Sequence, residues 1–270
     1  MTQPFAPWLA RWRLRPDGDA ITTPGSDLLP VRLADGDAAM LKIARDPEER
    51  FGAGLMRWWD GDGAARVHAH EGDALLMERA LGPRSLMAMA LDGEDDEASR
   101  IACAVVARLH APRPAPWPAD LVPLERWFAS LETAAGRDGG MFAQALDVAR
   151  ELFATAEPAR PLHGDIHHTN VLDFGERGWL AIDPKRIVGD RGYDYANLMC
   201  NPELPTVTRP ERFARQAQVI AQASGLSQRR LLQWTLAYAG LSAAWFLEDG
   251  DDASATSDLT VAKLALGALG

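Results

Sequence analysis

The sequence predicts an α+β chain of two unequal lobes: a small antiparallel β lobe with one helix, then a larger, mainly helical lobe. Three observations predict it. Residues 20 to 80 fall into short apolar runs broken by Gly/Asp turns. From Gly82 onward, apolar residues recur at helical spacing. Inside the helical half, VLDF and WLAID flank Gly-Glu-Arg-Gly, which reads as a β-hairpin. The lobes divide as 1–79 and 80–270, with the hinge near 76–81.

Taken in order, ITTPGSDLLPVRLADGDAAMLKIA supplies two or three strands that turn at PGSD and ADGD, and the last carries Lys42 inside an apolar run. DPEERFGAGLMRWWDGDG follows as a helix. Asp46 can cap it, Pro47 suits its first position, and Glu48 and Glu49 suit its positive start. ARVHAH and ALLMERAL are two further strands. ASRIACAVVARLH, PLERWFASLETAAG and GGMFAQALDVARELFATAE are helices, the first set apart by the proline-rich crossing APRPAPWPAD. ERFARQAQVIAQASG, QRRLLQWTLAYAGLSAAWFLEDG and SDLTVAKLALGALG give three more.

Composition narrows the function. A chain of 270 residues with 47% hydrophobic content can bury a sizeable core. A formal net charge of −10 with no basic cluster argues against a nucleic-acid partner. No stretch approaches the roughly 20 apolar residues of a membrane span. The N-terminus lacks a signal-peptide pattern, and the two cysteines, Cys103 and Cys200, sit among apolar residues without metal spacing. The expectation is a cytoplasmic protein, monomer or homodimer, with no membrane partner.

Chemistry concentrates in PLHGDIHHTN, residues 161–170. Its histidines and aspartate could grip a metal directly, which would make a metal-dependent hydrolase. Alternatively, Asp165 and Asn170 are the working pair and the histidines are scaffold. The hairpin favours the second reading: Asn170 precedes its first strand and Asp183 follows its second, so both lie at the same end. An amide oxygen and a carboxylate make a hard-oxygen site suited to Mg²⁺ completed by phosphate. Asp165, on the same loop, could accept a proton from a substrate hydroxyl. His-x-Asp-x-x-x-x-Asn, here His163, Asp165 and Asn170, is the spacing of a kinase catalytic loop, and Asp183 stands where a second metal-binding Asp follows. Lys42 is then a phosphate contact, since an apolar strand seldom carries an unpartnered lysine. His163 braces the loop, His167 and His168 surround it, and His110 suits a helix C-terminus.

HGDIHHTNVL with AIDPKRIVGDRGYDYANLMCNP resembles the aminoglycoside phosphotransferases. Asp183-Pro184-Lys185 with GDRGYDYAN is similar to their streptomycin 6-phosphotransferase branch, the aminoglycoside/hydroxyurea resistance kinases. The resemblance implies a protein-kinase-like fold, ATP and Mg²⁺ as cofactors, and a cationic small-molecule alcohol as substrate, such as streptomycin at its 6-hydroxyl. It implies Asp165 as catalytic base, Asn170 and Asp183 on the metal, and Lys42 on the α/β-phosphates. Met77, Glu78 and Ala80 in LLMERA would form the hinge beside adenine, and Asp194 would brace the catalytic loop or cap the helix that follows. Two features depart from the pattern. TTPGSDL, with one glycine, stands in for a glycine-rich phosphate cover. Where relatives carry the glutamate partner of the lysine there is Gly52, so Glu49, one turn earlier, is the expected partner. For the acceptor, Glu248 and Asp249 beside Trp245 in AAWFLEDGDD would suit a polycation by charge and cation–π contact. A kinase of another small metabolite alcohol uses the same motifs and is the principal alternative.

Overall fold

The structure is a computed structural model that describes residues 4–46, 50–202 and 205–270. Helix α1 (Ala6–Arg11) leads into five strands and a helix: β1 (Arg15–Pro16), β2 (Ile21–Thr22), β3 (Ser26–Arg32), β4 (Ala38–Ala44), α2 (Gly52–Trp59) and β5 (Val67–Glu71). With β6 (Ala74–Glu78), the strands form one antiparallel sheet in the order β1-β3-β4-β6-β5, with β2 beside β3. The β3–β4 pairing sets Leu29 opposite Leu41, and both are buried against Val31, Ala39 and Leu76. Trp8 of α1 and Trp12, which caps its C-terminus, pack on that face, a helix the strand pattern alone does not reveal. Strand alternation puts the neighbouring residue, Lys42, on the opposite face, toward the second lobe.

The remainder is mainly helical: α3 (Leu86–Leu91), α4 (Asp95–Leu109), α5 (Leu124–Trp127), α6 (Ala129–Asp138), α7 (Gly140–Ala154), α8 (Gly192–Ala196), α9 (Pro210–Ser224), α10 (Gln228–Glu248) and α11 (Asp252–Leu269). Helix α10 is the spine. Buried all round between Leu231 and Ala244, it packs against α7, α8 and α11. The proline-rich crossing at 111–120 forms no helix or strand, as its composition predicts.

Two small sheets carry the loop of interest. β7 (Val122–Pro123), β8 (Arg160–Leu162) and β11 (Ile187–Gly189) pair in the order β7-β11-β8. β9 (Val171–Asp173) and β10 (Trp179–Ala181) form the expected hairpin, with Val171 opposite Ala181. The hairpin is tied to the β lobe through Ala65 N–H to Ala181 O at 2.9 Å. Gly82 presses on it as well: a β-carbon there would lie 2.1 Å from the Asp173 carboxyl carbon. A third apolar cluster joins the lobes, with Ala53, Met56, Leu75 and Met77 from one side against Phe174 and Leu180 of the hairpin.

The described part of the first-lobe helix starts at Gly52, six residues beyond the Asp46 cap expected from sequence; residues 47–49, Glu49 among them, lie outside the described residues. Gly52 has a clear role. A β-carbon there would sit 2.4 Å from the Pro184 carbonyl oxygen, so α2 can approach the Asp183-Pro184-Lys185 segment only without a side chain. The glycine permits this backbone contact, and no glutamate fits at that position.

Candidate active site

The loop of residues 163–170 begins where β8 ends and is held from behind. Asp194 of α8 accepts Gly164 N–H on Oδ1 at 2.7 Å and His163 N–H on Oδ2 at 2.9 Å. His110 Nε2 reaches the same Oδ2 at 2.8 Å. Burial works to raise the Asp194 pKa, but these donors together hold it below the ordinary carboxylate value. His110 does cap α4, as its position suggested, yet its side chain's main contact is this hydrogen bond. The rest of the GDRGYDYAN motif anchors α8. Asp190 takes Gly192 N–H and Arg230 of α10, while Gly192 lies so close to Trp234 that a β-carbon would fall 2.2 Å from its ring.

His163 is fully buried and both ring nitrogens are engaged. Nε2 donates to the Ile182 carbonyl at 2.8 Å, so Nδ1 is the acceptor for Asp165 N–H at 3.3 Å. Burial keeps the ring neutral by lowering its pKa. The imidazole stacks on Trp59 and is a spacer between loop and hairpin, as expected. His168 is also buried, and burial pulls its pKa down to about 3. Among the described residues, no three His, Cys, Asp or Glu side chains gather as a metal site. The direct metal-gripping reading of HGDIHH therefore lacks its ligand cluster, because His163 is consumed by the backbone.

Two cavities meet at this loop. The smaller, about 180 Å³, is lined by Lys42, Met56, Leu75, Met77, Asn170 and Asp183. Thr23 and Ser26, from the TTPGSDL turn, cover it. Lys42 Nζ and Asp183 Oδ1 form a direct ion pair across the lobes, with Lys42 only 5% exposed. Asp183 has φ +63°, a left-handed conformation that Asp tolerates better than most residues and that turns its carboxylate out of the hairpin. The larger cavity, about 560 Å³, contains Asp165 and His167 from the loop, with Tyr238, Ser242 and Phe246 from one face of α10.

Asn170 joins the two. It lines the smaller cavity, its backbone N–H donates to His167 O at 3.0 Å, and its side-chain amide donates to Asp165 O at 2.9 Å and Asp165 Oδ2 at 3.3 Å. That leaves the amide oxygen as the atom available for a cation. Asp165 Oδ1 receives the Asn197 amide at 3.2 Å. Each carboxylate oxygen of Asp165 thus has one protein donor and retains acceptor capacity for a substrate hydroxyl. His167 Nε2 stands 3.7 Å from Asp165 Oδ1. Thr169 N–H donates to His167 Nδ1, which places the ring proton on Nε2, the nitrogen facing Asp165.

The structure places Asp165, Asn170 and His163 on this loop, Lys42, Met77 and Asp183 on the wall of the smaller cavity, and Asp194 behind the loop. Ala80 joins the interlobe cluster beside Met77. Glu78 ends β6; its carboxylate is turned to Arg177 and to Arg66 N–H, and its backbone N–H donates to Arg66 O. The acceptor residues are placed elsewhere. Trp245 packs edge-on against Trp127, Glu248 accepts from Ser130, and neither these nor Asp249 lines the large cavity. The reason is helical phase: Tyr238, Ser242 and Phe246 recur every four residues, and Trp245 and Glu248 project from a neighbouring face. Asn197 closes the GDRGYDYAN motif, but no spacing signals its contact with Asp165; His110 and Asp258 reach the site from helices remote in sequence.

Residues 11–250 match the family described as aminoglycoside/hydroxyurea antibiotic resistance kinase. The chain belongs to that family. It is a phosphotransferase that acts on an alcohol hydroxyl. It is 50% identical over 247 residues to the streptomycin 3″-kinase of Klebsiella pneumoniae, covering 90% of this chain and 92% of that protein. It is 33% identical over 267 residues to the streptomycin 6-kinase of Streptomyces griseus, covering 94% and 85% respectively. Among solved structures, amicoumacin kinase hAmiN in complex with AMP-PNP, Ca²⁺ and Ami has a TM-score of 0.65 at 14% identity, covering 99% of this chain and 94% of that one. That likeness shows the protein-kinase-like fold. No helix among the described residues is long and apolar enough to cross a membrane.

Proposed function

We propose that this family member transfers the γ-phosphoryl group of ATP to a hydroxyl of streptomycin, inactivating the antibiotic, with Asp165 as the group that receives the hydroxyl proton. The observation that carries the reading is the Asn170 bridge: one amide connects the cavity holding Lys42 and Asp183 to the cavity holding Asp165. The resemblance to the streptomycin 6-phosphotransferase branch implies the 6-hydroxyl. The 3″-hydroxyl is the better choice, because the 3″-kinase is the more similar of the two relatives, at 50% against 33%.

The donor set fits a hard divalent cation: the Asn170 amide oxygen and the Asp183 carboxylate, with phosphate oxygens to complete the shell. Bound there, Mg²⁺ would neutralise developing charge on the phosphates. Lys42 would bind phosphate oxygens from the strand side, in place of its ion pair with Asp183. Met56, Leu75 and Met77 would pack on the adenine. Asp165 would orient the acceptor hydroxyl and accept its proton, held in place by Asn170 and Asn197. Catalysis by this arrangement is positioning and charge stabilisation rather than covalent chemistry.

The test is purified protein with Mg-ATP and streptomycin, ADP release read in a coupled assay, and the product located by NMR. Phosphorus coupled to the 3″ proton is the expected result. Coupling to the 6 proton would restore the first choice of position. ADP release with another alcohol, and none with streptomycin, would overturn the acceptor assignment in favour of a metabolite kinase.

A further inference from the structure

The cavity that holds Asp165 is also lined by Asp258 of α11. This carboxylate is 5% exposed, and its Oδ2 has no hydrogen-bond partner among the described residues. Buried carboxylates are ordinarily paired with a cation or fully hydrogen-bonded. Here the Ser242 hydroxyl and the Cys200 thiol are the groups that stabilise it, and burial outweighs them, pushing its pKa up to about 6. No Lys or Arg lines the cavity among the described residues. The other titratable groups on its walls are Cys200, Tyr238, Asp165 and His167. The Cys200 thiol and Tyr238 phenol are held neutral by burial. The cavity therefore presents two carboxylates, one of them short of a partner.

The hydroxyls beside Asp258 narrow the ligand. Ser254, one turn earlier, gives its hydroxyl proton to Asp251 at 2.7 Å, so its oxygen is left as an acceptor. Ser254, Ser257 and Ser242 all line the cavity. Through Ser257 it adjoins a second cavity of about 460 Å³ walled by Thr208, Thr256 and Thr260. A buried carboxylate in a cavity that also presents serine oxygens matches a planar cation with several N–H donors better than a compact ammonium.

We propose that Asp258 reads the acceptor by pairing with a guanidinium group, so that a hydroxyl of the same molecule is presented to Asp165. The inference rests on the streptomycin reading above and adds the residue and the chemical group that carry recognition. It replaces the exposed acids at the end of α10 with one buried acid, whose interactions are less screened by solvent.

The test is steady-state kinetics of the wild type and Asp258→Asn on streptomycin, which carries two guanidinium groups, and on an analogue with both replaced by neutral urea groups. The variant should raise the streptomycin KM at least tenfold and leave the ATP KM within twofold. On the urea analogue, wild type and variant should have the same KM. An unchanged streptomycin KM, or an equal loss on the urea analogue, overturns the inference while the kinase reading stands. A wild type that phosphorylates only uncharged alcohols overturns both. ATP-dependent stabilisation against heat shows that the variant is folded. Should it fail to fold, Ser242→Ala is the substitute, expected to change the streptomycin KM about threefold with the ATP KM intact; no change would overturn the inference.

Discussion

Asp194, behind the catalytic loop, and Asp258, on the acceptor wall, are both buried carboxylates, 1% and 5% exposed. Their surroundings differ oxygen by oxygen. Both Asp194 oxygens are met, by two loop N–H groups and His110, and its pKa is lowered despite burial. One Asp258 oxygen is unmet, and its pKa rises to about 6. The first carboxylate completes a piece of architecture. The second is an incomplete polar site that a substrate can finish. Within one lobe, satisfied polar groups hold the chemistry in place and an unsatisfied one selects what is brought to it.

The contrast is testable through opposite effects on stability. Asp194→Ala removes the shared acceptor of three donors and should destabilise the protein by about 3–5 kcal/mol, read by urea unfolding. A loss below about 1 kcal/mol would mean the loop holds itself. Asp258→Asn should stabilise the ligand-free protein at neutral pH. A carboxyl with a raised folded pKa contributes stability below its unfolded value of 3.8, lost as pH rises through about 6. The variant's advantage should therefore grow between pH 4 and 7, toward something on the order of 2–3 kcal/mol. A flat difference across that range would show that Asp258 is not held in a hostile environment.

Smaller effects sharpen the picture of the loop. Gly52→Ala must push α2 off the Pro184 carbonyl, at a cost of about 1–3 kcal/mol in unfolding experiments. If stability and ATP KM are both unchanged, that close approach does not shape the nucleotide site. Asn197→Ala removes one of the two amides that orient Asp165 and should lower kcat about tenfold with the ATP KM unchanged. An effect on ATP KM alone would place Asn197's influence on the wrong cavity.

The same contrast explains what could be read from sequence. His163, Asp165, Asn170 and Asp183 lie on one loop and one hairpin, so their spacing fixes their geometry. The interlobe position of Lys42 follows from strand alternation. The acceptor wall has no such local code. Its members come from α8's flank, α10 and α11, and SDLTVAKLALGALG shows only helical periodicity. The acids of LEDGDD suit a cation by their adjacency in sequence, but helical phase directs Trp245 and Glu248 to Trp127 and Ser130. Gly52 stands out in the sequence as a departure from the family pattern. Its reason, the Pro184 carbonyl, depends on a long-range contact that no spacing reveals.

The central claim is that Asp165 acts on the acceptor while Lys42, Asn170 and Asp183 serve the nucleotide. Paired measurement of turnover and ATP affinity in Asp165→Ala addresses it directly. A general base of this kind contributes about 10²–10⁴-fold, so kcat should fall by about a thousandfold while ATP affinity stays within twofold. Turnover within tenfold of the wild type, or ATP affinity lost together with turnover, would contradict that division of labour.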